Sequence, residues 1–266
     1  MRPALTTLLL FATACSDPTA PQIGDVFYRG TSPDGAEVLL FAKPTRIIPT
    51  STSTTDIVLA LVGPERLAGL PETVHSYSHE IVLQGLPTEL PTFTHYVGES
   101  LLALTPDLVI GHVYQELDTT RVLRRAGVPV YSLKYPKSAE EVIATVLEIS
   151  RLLGEEQRGD ALAEDMRARL AAMRADTSRA HLRAITYTNL GSGVWTAGVG
   201  SSPHLMIQLA GMQNASAEGG REMDYQIDTE ALLVLDPDIL IVAGIASGAF
   251  AVVKTMSARK GGHASL

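Results

Sequence analysis

The chain has 266 residues, a net charge of −8, one cysteine, and 45% hydrophobic residues. That length suits two modest α/β domains or one large one. The acidic balance argues against nucleic acid or an anionic membrane face as a partner, and a lone Cys15 excludes an internal disulfide or a cysteine metal cluster.

The chain opens as an export signal: Met1-Arg2 is a minimal basic start, residues 5–14 are apolar and close in small residues, and residues 16–21 are polar and Pro-rich. The run is too short to span a bilayer. Ala12-Thr13-Ala14-Cys15 resembles a bacterial lipobox with Ala in place of the usual Leu. That resemblance implies cleavage before Cys15 and lipid attachment to it, since a free thiol is out of place in an oxidising compartment; an ordinary signal peptide with an incidental cysteine is the plain alternative.

Residues 23–42 pattern as a β-hairpin around Pro33-Asp34-Gly35. Residues 46–48 are a short strand running into the hydroxyl-rich loop Thr50, Ser51, Thr52, Ser53, Thr54. Ser53 and Asp56 have capping-box spacing, and Gly63 suits a left-handed helix end. A hydroxyl loop at a strand-to-helix switch fits either a polar ligand group or a plain cap.

Residues 66–69 start the next strand. The long Pro-interrupted connection after it holds His75, Tyr77, His79, Phe93, His95 and Tyr96. His75 and His79 stand four apart, one helical face if the segment is helical, and make a weak metal pair; surface histidines are the alternative.

At Glu99 the sequence reads ESLLALTPDLVIG, and at Glu230 it reads EALLVLDPDILIV. Each parses as a short amphipathic helix, a Pro-Asp turn and an apolar run of the kind a parallel strand buries on both faces. A unit repeated once at long range predicts two similar α/β lobes. His112 and Tyr114 then fall at the carboxyl end of the first repeat's strand, where open α/β sheets bind ligands.

Residues 117–126 predict a helix and 128–133 a strand. Ser138 to Glu141 is a capping box opening a helix through Leu153. After Gly154, residues 155–176 predict one long polar helix, a stiff connection between the repeats. The second half begins with a strand over 183–187 and a glycine-rich loop, residues 191–198, that holds the only tryptophan, Trp195. Its glycines form neither a dinucleotide nor a P-loop motif. A helix opened by Ser201 comes next, then Arg221, Met223 and Tyr225, then the second repeat. After Gly244 the pattern decays, so the second lobe is expected to have fewer elements than the first.

The order of lipobox, Arg46-Ile-Ile strand, hydroxyl loop, first Glu-x-Leu-Leu-x-Leu-x-Pro-Asp, long helix, Ala210-Gly-Met-Gln-Asn214 and second Pro-Asp unit resembles the solute-binding proteins of iron-siderophore, haem and cobalamin ABC importers. It covers about residues 24–244. The resemblance implies an α/β fold of two Rossmann-like lobes joined by a single long helix, with the ligand cleft between them. The expected organisation is a signal and tether over 1–22, an N-terminal lobe over 23–136, a helical region with the linker over 137–176, and a C-terminal lobe over 177–266. The tail over 257–266 departs from the family's ending, so that lobe is expected to be incomplete.

The same resemblance implies that Glu99 and Glu230 dock onto arginines of an ABC permease dimer; a helix-dipole role is the plain alternative. It implies ligand contacts from Thr50, Ser51, Thr52, Tyr77, Phe93, His95, Tyr96, Tyr114, Trp195, Arg221, Met223 and Tyr225. Cobalamin, haem or a ferric siderophore would be the cargo, with no catalytic cofactor. Haem would need an axial donor from Tyr96, His95, Tyr77 or His79. Sparse cleft charge, with Arg221 the one good cation, favours cobalamin or haem over catecholate siderophores. The protein is expected to be a monomer held at the periplasmic or outer surface through Cys15. The sequence holds no nucleophile elbow or Walker motif, so an enzyme is not expected. The rival is a Zn- or Mn-binding protein of the related two-lobed class, which would need several of His75, His79, His95, His112 and His204 to converge.

Overall fold

A computed structural model describes residues 25–78, 85–115, 117–189, 193–243 and 250–255. The hairpin forms as the pattern predicts, β1 (Tyr28–Thr31) antiparallel to β2 (Glu37–Leu40). The first main sheet is parallel, ordered β3 (Ile47–Pro49), β6 (Leu108–His112), β7 (Val130–Leu133). Beside it lie β4 (Leu70–Pro71) and β5 (Thr92–Phe93), reached through a parallel bridge from Ile47 to Leu67. The strand expected from Arg66 starts later, because Pro64–Arg66 makes a 3₁₀ turn first.

Alternation along this sheet builds two cores. Ile47, Leu108, Ile110, Tyr131 and Leu133 pack on one face with Val58 and Leu61 of α1 (Thr52–Leu61) and with Ile149, Leu152 and Leu153 of α5 (Ala139–Leu153). Ile48, Val109 and Val130 pack on the other with Leu101 of α3 (Gly98–Ala103) and Leu123 of α4 (Leu117–Arg125). Burial on both faces is why these strands read as unbroken apolar runs.

The second sheet is ordered β11 (Asp224–Gln226), β9 (Val194–Ala197), β8 (Arg183–Asn189), β12 (Ile239–Ala243), β13 (Phe250–Thr255), with β10 (Gln213–Asn214) also pairing β8. Its core pair, β8 and β12, is parallel. It is the larger sheet, and although the pattern decays after Gly244, Phe250–Thr255 returns antiparallel to β12; among the described residues this half has six strands to the first half's seven. Among the described residues this half also carries the α-helices α7 (Ser202–Leu209) and α8 (Thr229–Leu235).

Between the sheets in the chain stands α6 (Glu156–Ala175), one 20-residue helix. Gly154 turns the chain into it from the left-handed region, φ 65°. It packs along α5 and against α7. The contact with α5 is close because Gly159 has no Cβ: one there would overlap the Ser150 side chain. Arg174 at the far end of α6 pairs with Glu140 at the start of α5, 2.6 Å, as an antiparallel helix pair requires.

The repeated Pro-Asp step has one job in both halves. Asp107 accepts the backbone N–H of Thr45 (2.7 Å) and of Arg46 (2.9 Å) just before β3. Asp238 accepts the N–H of Arg183 (2.9 Å) at the start of β8. The arginines reciprocate: Arg46 donates to the carbonyls of Leu104 and Thr105, and Arg183 to that of Asp236. Thr105 and Asp236 both have positive φ, 48° and 42°, so the two turns share a conformation unusual for residues other than glycine.

Two local expectations are corrected. The cap of α1 is Ser51, which accepts from Thr54 N at 3.2 Å, and Ser53 is not the cap. Gly63 is extended, φ −76°, because Pro64 disfavours a helical residue before it. Asp56 instead accepts from Ser78 Oγ, 2.7 Å.

Replacing Asp107 by Ala removes two carboxylate hydrogen bonds from exposed backbone donors and should lower stability by about 0.5–1.5 kcal/mol, read as a lower urea midpoint, with Asp238→Ala also destabilising. Midpoints unchanged in both variants would contradict this role.

Candidate functional site

The carboxyl ends of β3, β6 and β7 form the first wall. Gln115 joins two of them: its Oε1 accepts from Thr50 Oγ1 (2.7 Å) and His112 N (2.9 Å). Ser51 Oγ and Thr54 Oγ1 lie 2.9 and 3.1 Å from His112 Nε2. His112 is 7% exposed, and its Nδ1 has no partner among the described residues. Burial holds its pKa below the ordinary imidazole value. Tyr114 stacks on the His112 ring, centroids 5.0 Å apart, while remaining 64% exposed. Thr52 leans away, its hydroxyl 3.1 Å from that of Thr73.

The residues of the long connection divide. Phe93 and Tyr96 pack against the cluster of Ile48, Leu101 and Val109. The Tyr96 hydroxyl meets Thr120 Oγ1 at 3.2 Å, and burial raises its pKa. His95 is exposed. The short helix α2 (Val74–Tyr77) ends at Tyr77, with Ser78 already extended, so the helical face meant to hold His75 beside His79 stops short. His79 and the Tyr77 side chain lie outside the described residues, as does Cys15. Among the described residues no three His, Cys, Asp or Glu side chains could hold a metal ion, and His204 instead faces Asn214 Nδ2, 3.0 Å.

The second wall belongs to β8, β9, β11 and the start of α7. Trp195 lies in strand β9, opposite Thr188, where the sequence suggested a loop. Thr186, Thr188, Trp195, Thr196, Pro203 and Asp224 line a cavity of about 290 Å³. Trp195 Nε1 is buried without a partner among the described residues. Arg221 lies over the Tyr225 ring, 4.7 Å from its centroid, and the Tyr225 hydroxyl donates to Ser216 O at 2.8 Å. Met223 is 52% exposed at φ 56°. Gly198 is fixed by crowding: a Cβ there would strike the carbonyls of Arg221 and Met223.

The walls meet where the Tyr135 hydroxyl, just beyond β7, hydrogen-bonds Ser202 Oγ, the neighbour of Pro203. Tyr135, Gln115 and Asp224 are the residues sequence reading missed. Tyr135 follows a correctly placed strand by two positions, which was signal enough to find it. Glu99 and Glu230 are each exposed at the second residue of the helix that opens a repeat, α3 and α8.

Residues 47–258 match a family described as periplasmic binding protein. A cobalamin-binding protein of Halobacterium salinarum is 27% identical over 226 residues, covering 82% of this chain and 59% of its own length. An uncharacterized ABC transporter substrate-binding lipoprotein of Bacillus subtilis is 23% identical over 212 residues, covering 77% of this chain and 65% of its own length. The chain thus spans under two thirds of the length of these curated relatives. Among solved structures, the apo form of the periplasmic heme-binding protein RhuT from Roseiflexus sp. RS-1 has a TM-score of 0.65 at 26% identity, covering 76% of this chain and 77% of that one.

Buried, neutral His112 sets a pH dependence. Above the ordinary imidazole pKa of about 6.5 both folded and unfolded chains hold it neutral. Below that value the unfolded chain takes up a proton that the folded ring resists, so stability is lost as pH falls toward the depressed folded pKa. His204, also lowered by burial, acts in the same direction in wild type and variant alike. Urea midpoints should therefore fall more steeply between neutral and mildly acid pH for the wild type than for His112→Gln; equal slopes would count against a buried neutral ring.

Proposed function

The chain belongs to the periplasmic binding protein family, and we propose that it is the substrate-binding component of an ABC importer, capturing a tetrapyrrole or chelated-iron ligand between two lobes. The lobes are residues 23–136 and 177–266, with 137–176 carrying the linker helix. The observation behind this reading is the pairing of two walls at one junction. Tyr114 and Tyr135 stand on the first, Trp195 on the second, and Tyr135 bonds across to Ser202. Aromatic walls with few charges suit a large, flat, mostly neutral ligand.

Among the candidate ligands the order is cobalamin, haem, then an anionic ferric siderophore. The name of the Halobacterium relative supports the first. Haem calls for an axial donor; Tyr96 is a poor one, since burial raises its pKa and Thr120 engages its hydroxyl, which leaves exposed His95 among the described residues. Arg221, already stacked on Tyr225, is a single cation for an anionic chelate. The Zn or Mn alternative has no supporting observation.

Glu99 and Glu230 would offer one carboxylate per lobe to a basic permease dimer, a pairing that sets register more than affinity. Cys15 would carry a lipid after signal cleavage, placing a monomeric binding protein at the periplasmic or outer face of a membrane. No helix among the described residues is long and apolar enough to cross one.

Trp195, the only tryptophan, is the natural reporter. Cobalamin or haemin added to the purified chain should quench its fluorescence to saturation at one ligand per chain. The absence of saturable binding of cobalamin, haemin and a ferric siderophore alike would overturn the proposal.

A further inference from the structure

On the binding-protein reading, the cavity beside Trp195 bears on which side arms a ligand carries, and the inference rests on that reading. Strand alternation sets the cavity's chemistry. Thr186 and Thr188 share one face of β8, Trp195 lies opposite Thr188, and Gln226 pairs Trp195. Asp224, two positions from Gln226, therefore points to the same face, while Tyr225 between them points to the other. Arg221 stacks on Tyr225 and is not among the described residues that line the cavity. Among the described residues no Lys, Arg or His lines the cavity, and Asp224, which is exposed, forms no ion pair.

Two lining residues thus bring an indole N–H that is buried without an acceptor and an exposed carboxylate without a cation among the described residues. At about 290 Å³ it sits at the small end of ligand pockets, room for part of a ligand and not for a macrocycle. We infer that it receives a carboxamide arm: the arm's carbonyl oxygen accepts from Trp195 Nε1–H, and its amide N–H donates to Asp224. A carboxylate arm would use the indole but face Asp224 with no cation between them, a like-charge contact that costs binding. An ammonium would suit Asp224 and leave the indole N–H facing another donor. A carboxamide satisfies both on one planar group, and a site built this way rejects analogues that leave its buried donor unpaired. The pocket then selects an amide-fringed ring over an acid-fringed one.

The test compares cobinamide, whose ring carries carboxamide arms, with cobyrinic acid, whose arms are carboxylates, by titration calorimetry on the full chain. Cobinamide should bind at least about tenfold tighter. Trp195→Phe should weaken cobinamide, and Asp224→Asn should strengthen cobyrinic acid, each shrinking the ratio. Equal affinities in the wild type, or a ratio unmoved in both variants, would overturn the inference. So would binding of haemin with neither corrinoid bound, which leaves the binding-protein reading standing. Failure to bind any of the three, or a ferric hydroxamate, removes that reading and the inference with it. The urea midpoint of each variant, kept near the wild-type value, assures that the comparison concerns the pocket.

Discussion

The hold of one aspartate on the chain entering the neighbouring strand organises each half of this molecule. Asp107 accepts from Thr45 N and Arg46 N, and Asp238 from Arg183 N. Arg46 and Arg183 reach back to the carbonyls at the ends of α3 and α8. A helix end, a turn and the amino ends of two parallel strands are thereby tied in one knot. Because the register is fixed at the amino ends, the carboxyl ends of the same strands emerge at a common level. In the first half that level is where Thr50, His112 and Gln115 meet. In the second it lies above β8 and β12, next to the hairpin that carries Trp195. The knot is structural, and the site at the opposite end depends on it.

The second constraint is the helix pair α5 and α6. Gly159 lets the two approach until Ser150 fills the gap, and Arg174 closes the far end on Glu140. Because α6 also touches α7 of the second half, it packs along α5 and meets the second half at one place. A continuous helix packed on a second helix is a stiff connection, unlike a flexible loop. On the proposed reading this favours small lobe movements on ligand binding, with recognition left to side chains at the rims.

Much of the frame was legible because it rests on local signals. The duplicated Glu-x-Leu-Leu-x-Leu-x-Pro-Asp, the Ser138 cap and the Gly154 break each encode geometry within a few residues, and each appears where the pattern put it. Trp195 was misplaced because Gly191, Gly193 and Gly198 pointed to a loop, while cross-strand pairing with Thr188 and Gln226 drew the segment into β9; local propensity yields to tertiary pairing in strands. Phe93 and Tyr96 carried no sign of which way they faced, and both turn to the core. Gln115 escaped notice because Thr50, which it joins to β6, is 65 residues away, and Asp224 because the residues it shares a cavity with come from other strands and from α7. In α8 the burial follows that of α3 closely but one step looser: Leu232 is half-buried where its counterpart Leu101 is fully buried, and Leu233 is exposed where Leu102 is half-buried. The duplicated segment therefore shares its backbone design and most of its burial pattern.

The central claim is that two lobes stand at a nearly fixed separation across a ligand site, held by α6. It is tested most directly by the distance between spin labels at Ser100→Cys and Ala231→Cys, exposed neighbours of Glu99 and Glu230, in a chain with Cys15→Ser. The account predicts one narrow distance distribution that moves by no more than about 2 Å when a saturating ligand is added. A broad distribution without ligand, or a collapse several times larger on binding, would contradict it.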